Sequence, residues 1–387
     1  MIKTIKIVTY FSDWKSPVKR TGSLSGMNVI NYILKVLTGS GYYVKIISPS
    51  WVTGGTEKLY ISSEECQLDD HVSIIKAPSI SGDTRLKNFI KKVFSRVWLI
   101  GYLLKNIKKD EVIFLYHEPT LMFPIKILKL IRKPNIIMIN EELYSDIPKF
   151  SYLNKNKEIN YLKKTPSAYI FPTILLEQIV NYTKKPYEIL HGTYFSEKDR
   201  NCKFNDDKTH ILYAGTFNVS KGGAVAVSIG EFLDENYHIH IIGFGSDSEK
   251  KELLCKLEEV QKKAKCNITF DGLKSGEEYI KFVQACDIGL SPQNPAASYN
   301  ETSFPSKVLS YLSNGIRVVS VKIKALETSA VNDLLFYYDS SEPEKIADVI
   351  KTLDMSAPYD SRKKIEELDK DFSDKLTLMI KGFYDAK

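Results

Sequence analysis

The segment Ser303-Phe304-Pro305-Ser306-Lys307-Val308-Leu309-Ser310-Tyr311 runs from a polar loop into a helical apolar period. The period stops at Asn314-Gly315, ahead of the β-branched run Arg317–Ser320. A helix starting at about Pro305 turns its unpaired backbone N–H groups and the positive end of its dipole toward whatever precedes it, and Lys307 adds a mobile charge. That arrangement suits an anion such as a diphosphate. A second phosphate-type loop is Ile211-Leu212-Tyr213-Ala214-Gly215-Thr216-Phe217-Asn218-Val219-Ser220-Lys221-Gly222-Gly223, where Gly215 lets a ligand approach the backbone and Lys221 is placed to reach a phosphate. The next strand ends in Gly243-Phe244-Gly245. Upstream, His117 and Glu118 end the run Val112–His117, and Glu141 and Glu142 follow Ile136–Asn140. Ligands of open α/β sheets gather at the carboxyl ends of strands, so His117 is a candidate for the reaction centre. The three acids are candidates for binding the hydroxyl groups of a ligand.

These residues need sheets to hold them, and the chain supplies the pattern twice. Short β-branched runs alternate with helical periods at Ile5–Tyr10, Tyr43–Ser48, Val72–Lys76, Val112–His117, Ile136–Asn140, Ala168–Phe171 and Glu188–Leu190. The rhythm resumes at His210–Ala214, His238–Ile242, Ile268–Phe270, Ile288–Ser291, Arg317–Ser320 and Leu334–Tyr338. The expected architecture is α/β, with two doubly wound Rossmann-like domains facing a cleft. Residues 1–192 form the first, 193–208 a polar linker and 209–387 the second, with a final helix from Ser361 expected to pack back on the first. At 387 residues, 43% hydrophobic and 26% charged, the chain has material for two cores. A net charge of +7 suits an acidic small molecule or an anionic membrane face. Five scattered cysteines without C-x-x-C spacing argue against a disulfide framework or a zinc site, so no metal is expected. The strand-like start and the lack of a membrane-length apolar run predict a cytoplasmic protein.

Taken in order, Y-A-G-T-F-N-V-S-K-G, I-I-G-F-G, I-T-F-D-G-L, A-C-D-I-G-L-S-P and F-P-S-K-V-L-S-Y-L-S-N-G-I-R-V-V-S resemble the GT-B glycosyltransferases of family 4. The resemblance is strongest over 211–320. It implies a hexosyltransferase-type enzyme that moves sugar from a nucleotide-diphosphate donor with retention, with no cofactor and no metal. Lys221 and Lys307 would neutralise the diphosphate, and His117 would contact the donor sugar. Gly215, Thr216, Gly243, Gly245, Leu273, Phe304, Pro305, Ser306 and Ser310 would line the donor site. Gly26, in Arg20-Thr21-Gly22-Ser23-Leu24-Ser25-Gly26, would belong to a glycine loop closing on the donor phosphate. The acceptor, to be bound by Glu118, Glu141 and Glu142, is read as a glycan or lipid-linked sugar in cell-surface polysaccharide synthesis.

Two positions depart from that pattern. Thr216 stands where an arginine often follows the loop glycine, leaving Lys307 or Arg317 to compensate. Ser310 stands where a glutamate commonly holds the ribose hydroxyls, and its companion acid falls near Thr302 and Glu301. The rival readings are a non-catalytic nucleotide- or partner-binding relative and a nucleotide-sugar epimerase of the same fold. Separately, residues 85–109 carry Arg85, Lys87, Lys91, Lys92, Arg96, Lys105, Lys108 and Lys109 among Phe89, Ile90, Val93, Phe94, Val97, Ile100, Leu103, Leu104 and Ile107. This basic amphipathic stretch predicts peripheral docking on the anionic inner face of the cell membrane, or a packing helix with a solvated basic face. It contains no nucleic-acid-binding module, and none is expected as a partner.

Overall fold

The computed structural model describes residues 3–385 except 13–15, 17, 55, 148, 149, 151, 218–221, 296, 298, 299 and 301. The chain divides into two compact units. One comprises Met1–Pro172, Leu176–Thr193 and Asp371–Lys387, and the other Thr173–Leu175 and Tyr194–Lys370. In the first lie β1 (Thr4–Val8), β2 (Tyr43–Ser48), β3 (Tyr60–Ile61), β4 (Glu64–Asp69), β5 (Val72–Lys76), β6 (Ser79–Ile80), β7 (Val112–Tyr116), β8 (Asn135–Ile139), β9 (Ala168–Phe171) and β10 (Tyr187–Ile189). Eight of them form one sheet in the order β10-β9-β8-β7-β1-β2-β5-β4. All its pairings are parallel except β4 on β5. β7 is Val-Ile-Phe-Leu-Tyr with every residue buried, as a central parallel strand covered on both faces requires. Its neighbours pack into a core of Val8, Leu115, Met138 and Phe171, to which Leu99 and Leu103 are added from a flanking helix.

The second unit holds β11 (Thr209–Thr216), β12 (Tyr237–Phe244), β13 (Asn267–Gly272), β14 (Ile288–Ser291), β15 (Arg317–Val321) and β16 (Leu335–Tyr338). They form one parallel sheet in the order β13-β12-β11-β14-β15-β16. Counted within the unit, that order is 3-2-1-4-5-6, the doubly wound arrangement whose direction of winding reverses between β11 and β14. In the first unit the reversal falls between β1 and β7. Each unit therefore has one switch point, and there a crevice opens beyond the strands' carboxyl ends.

The basic stretch is one helix, Arg85–Asn106, capped by the Thr84 side chain. The helix carries six of the stretch's eight cations, but Lys91 is not on a solvated face. Its side chain is buried, with Nζ donating to the Val52 carbonyl at 2.8 Å and to Asp83 Oδ1 at 3.1 Å. Lys91 sits on the inward face with Ser95, Leu99 and Leu103. Leu86, Phe89, Ile90, Val93 and Val97 follow helical spacing on the opposite side and are exposed, Leu86 by 68% and Phe89 by 65%. Among the described residues no helix is long and apolar enough to cross a membrane. The last helix runs over Ser361–Asp385 and buries Ile365, Phe372, Leu376 and Ile380 at four- to seven-residue intervals.

Candidate functional site

In the second unit, β11 and β12 run in register to their ends, pairing Gly215 with Gly243 and Thr216 with Phe244. The strands approach so closely there that a Cβ on Gly243, at φ 142°, would overlap the Gly215 carbonyl. These two glycines thus make the close strand contact itself. Gly222 has φ 90°, and a Cβ on it would overlap the Pro292 carbonyl, so this glycine lies against the residue that follows β14. Gly245 packs on Phe217, and Ser246 then caps the helix Asp247–Gln261 in a reciprocal box with Glu249. Lys221 and Glu301 lie outside the described residues.

The expected anion-binding helix is Ser306–Ser313, preceded by buried Phe304 and Pro305, with no side chain capping its start. The start of the helix therefore turns its first N–H groups toward the segment that precedes it. Lys307 Nζ lies 4.2 Å from the centre of the Tyr213 ring, and a Cβ on Gly215 would be 3.4 Å from it. The ammonium consequently stands at the carboxyl end of β11. Tyr311, wholly buried, bridges the two switch-point strands: its hydroxyl accepts from the Ala214 N–H at 2.8 Å and donates to the Leu290 carbonyl at 3.3 Å. At the end of β14, the buried Ser291 hydroxyl oxygen has no hydrogen-bond partner. Buried polar atoms are nearly always paired, so this hydroxyl is an exception beside the switch point.

Arg317 is not at this edge. It opens β15, at the amino end, where it donates to the carbonyls of Asp354 and Ala357 and lies over the Tyr359 ring. It therefore does not replace the charge that Thr216 lacks. The Ser310 hydroxyl is 2.9 Å from the Tyr279 hydroxyl, so a tyrosine from the helix Gly276–Ala285 accompanies the serine where the pattern has glutamate. Sequence reading missed Tyr279 because its partner lies 31 residues away. Phe244 ends β12 and Leu273 follows β13, and both are exposed, by 55% and 66%.

In the first unit His117 follows β7, is buried, and points Nε2 at Glu158 Oε1, 2.8 Å away. Glu158, fully buried, also accepts from the Tyr144 and Ser145 N–H groups, each at 2.9 Å. Burial pushes its carboxyl up, but the hydrogen bonds from His117 and Ser145 outweigh that and hold it below the ordinary carboxylate range. An ionised Glu158 requires the hydrogen on Nε2, leaving Nδ1 as an acceptor with no partner. Asn140, at the end of β8, is also fully buried with both amide atoms unpartnered. The orphans of His117 and Asn140 follow neighbouring parallel strands. Glu158 escaped the sequence reading because Lys155–Lys164 resembles a solvated charged helix. The signal was the spacing of Glu158 with Tyr161 and Leu162, which are buried on the same face.

Of the three acids, Glu118 Oε2 is occupied in capping the turn Pro119–Leu121, taking hydrogen bonds from the Thr120 N–H and hydroxyl. Glu141 Oε2 accepts from the Tyr116 hydroxyl at 2.8 Å. Burial pushes its carboxyl up to about 7, opposed by the Tyr116 hydrogen bond and aided by the charge of Glu142. Glu141 therefore changes charge near neutral pH. Gly26 lies inside the first turn of the helix Leu24–Gly39, not in a loop before it, because Ser23 starts that helix as its cap. A Cβ on Gly26 would meet the Tyr116 ring and hydroxyl at 3.0 Å, so this glycine makes room for the tyrosine that holds Glu141. Among the described residues one cluster has metal-ligand character: His210, His238 and His240, on β11 and β12.

No family model matches the chain, and no curated protein matches it. Solved structures do. The Escherichia coli trehalose-6-phosphate structure bound with UDP-2-fluoro glucose superposes with a TM-score of 0.68 at 10% identity, covering 98% of this chain and 99% of that one. The α,α-trehalose 6-phosphate synthase from Burkholderia multivorans gives 0.67 at 9% identity, over 100% of both chains. Anabaena Alr3699/HepE in complex with UDP gives 0.61 at 12% identity, also over 100% of both. At these identities the likeness concerns the fold alone: the two parallel-sheet α/β domains of this chain match those of GT-B glycosyltransferase structures.

Proposed function

We propose that the protein is a retaining glycosyltransferase of the family 4 type, moving a sugar from a nucleotide-diphosphate donor to a glycan or lipid-linked acceptor. The observation that carries this reading is the second unit's switch point. There the Lys307 ammonium, the uncapped start of Ser306–Ser313 and the orphan Ser291 hydroxyl stand at the ends of β11 and β14. A diphosphate there would meet a cation and the positive end of a helix. In the transfer, the bond from the anomeric carbon to the phosphate oxygen breaks and a bond to the acceptor oxygen forms on the same face. The acceptor's proton passes to the departing phosphate. The charge on that phosphate grows through the step, so the fixed positive groups act most strongly in the transition state. His117 Nδ1 and Asn140 offer an acceptor and an amide to sugar hydroxyls.

Calorimetric titration with UDP, ADP and GDP tests the donor assignment, UDP coming first because fold neighbours were solved with it. Binding of one diphosphate, with its release from the matching nucleotide sugar, is expected. Failure of all three to bind defeats the reading. Binding without release in the presence of acceptor indicates the non-catalytic relative, which the Ser310–Tyr279 contact in place of a ribose-binding carboxylate would favour.

The outward stripe of Arg85–Asn106 extends the reading to a membrane surface. Leu86, Phe89, Ile90, Val93 and Val97 form an exposed apolar band, with Arg85 and Lys92 exposed beside it. Apolar insertion combined with cationic flanks fits an anionic bilayer. The protein should co-sediment with vesicles containing anionic phosphatidylglycerol and much less with phosphatidylcholine alone. Phe89→Ser combined with Lys92→Glu should abolish the difference, and equal recovery on both vesicle types would assign the band to protein packing.

A further inference from the structure

His210, on β11, and His238 and His240, on β12, project from one face of the second sheet. Their available ring nitrogens lie within 4.8 Å of one another. His210 and His240 are buried, and Phe204 stacks on both rings at 4.1 and 4.7 Å. His210 Nδ1 faces His240 Nε2 at 2.9 Å. The outer nitrogens are taken by carboxylates: His210 Nε2 by Asp206 at 2.7 Å, and His240 Nδ1 by Asp271 at 3.0 Å. A hydroxyl from Thr269 donates to Asp271 and so fixes that carboxylate.

Counting hydrogens defines what the cluster needs. Each neutral imidazole carries one N–H, and each carboxylate accepts one. If both outer nitrogens donate to Asp206 and Asp271, the two inner nitrogens confront each other with lone pairs alone. Either an added proton or a metal ion must then lie between them. An outer shell in which carboxylates take the far N–H of each histidine is the usual support of imidazole-bound metal ions, because it fixes the tautomer and raises ligand basicity.

We propose that His210 Nδ1, His240 Nε2 and a ring nitrogen of His238 bind one borderline divalent transition-metal ion, of which Zn²⁺ is the type. Zinc holds its nitrogens at about 2.0 Å, hence about 3.3 Å from one another in a tetrahedron. The inner pair at 2.9 Å needs only a small separation. His238 stacks on His240 with ring centres 4.0 Å apart and turns from its contact with Thr269 to complete the set. Three neutral imidazoles and two outer carboxylates balance the 2+ charge, so the ion enters a buried site without leaving net charge there. Mg²⁺ and Ca²⁺, which require oxygen ligands, do not suit it.

The site is structural in placement. His240 precedes Phe244, the last residue of β12, by four positions, about 13 Å at about 3.3 Å per residue, so the ion stands well below the edge that holds Gly215 and Lys307. What it ties together is β11, β12, Asp271 of β13 and the segment carrying Phe204 and Asp206. The proposal is independent of the donor reading. Cysteine spacing gave no hint of it, whereas His-Ile-His within a strand is the signal, since alternate residues share a face.

The test uses the full chain purified without a polyhistidine tag, stripped with chelator and titrated with ZnCl₂ and, separately, MgCl₂. One equivalent of zinc should bind, with a rise of several degrees in melting temperature, and magnesium should do neither. Co²⁺ in place of zinc should show the intense visible bands of a tetrahedral site. His240→Ala should lose the equivalent. Should that variant fail to fold, His238→Asn, at a half-buried position, decides: it should fold, bind zinc at least tenfold more weakly and lose the cobalt bands. No stoichiometric zinc uptake by the native chain, which would leave a shared proton between the rings, overturns the proposal. So does undiminished uptake by both variants.

Discussion

Lys307→Met should weaken nucleoside diphosphate binding by about 10- to 100-fold, the worth of about 1.5–3 kcal/mol for a charged hydrogen bond. It should slow sugar transfer more, by about 100- to 1,000-fold, the usual loss when one preorganised donor to a growing negative charge is removed. Methionine is the informative substitution because Lys307 also packs over the Tyr213 ring, at 4.2 Å from its centre. Its unbranched stem keeps that contact while the charge goes. The two effects differ in size because the phosphate carries more charge as it leaves than when bound. Calorimetry with UDP and a steady-state release assay read them separately. Equal losses in affinity and turnover would mean that Lys307 only holds the donor. No loss in either returns it to packing on Tyr213, and the leaving-group role then passes to Lys221 and the helix N–H groups.

Much of this frame was legible in advance, for identifiable reasons. Val112–Tyr116 and Ile136–Ile139 are continuous apolar runs because central parallel strands are buried on both faces, and such runs declare themselves. The start of the helix at Ser306 could be read from Phe304-Pro305, since proline sits well at a helix entry. What stayed hidden was polar or long-range. Glu64–Asp69 is an edge strand of Glu-Glu-Cys-Gln-Leu-Asp, held by its pairing to β5 and showing no apolar alternation. Arg317 looked like a phosphate ligand until its strand acquired a direction, for it stands at the amino end of β15 and ligands gather at the carboxyl end. Gly26 looked like a loop residue, yet it accommodates a tyrosine from β7 that is distant in sequence.

The same limit governs Ser310. Alone it reads as a deletion of the ribose-binding carboxylate, but the fold brings the Tyr279 hydroxyl to 2.9 Å from it. Two hydroxyls can each donate and accept, so the pair can still contact vicinal ribose hydroxyls without a charge. In the proposed donor site the cost would fall on affinity for the nucleoside, while Lys307 and the helix start would still act on the phosphates.

Replacing Glu158 by alanine should be the most damaging change in the first unit. Its carboxylate is fully buried and takes three hydrogen bonds, from His117 Nε2 and from the Tyr144 and Ser145 N–H groups, and alanine leaves all three donors without an acceptor. Breaking a buried, hydrogen-bonded pair from one side costs about 3–5 kcal/mol. A fall in melting temperature should follow, together with loss of transfer, because His117 loses the partner that fixes its tautomer and aims Nδ1. Acid titration separates this role from generic packing. The folded-state pKa of Glu158 lies below the ordinary value of 4.5, so its stabilisation is complete above that value and disappears as pH falls through the lower folded one. The stability gap between the native protein and Glu158→Ala should therefore be widest at neutral pH and narrow steadily below about pH 4.5. A gap that stays constant down to pH 3 would mean that the side chain stabilises by filling space, and His117 would then owe its orientation to the stacked Tyr161 ring, whose centre is 5.9 Å away.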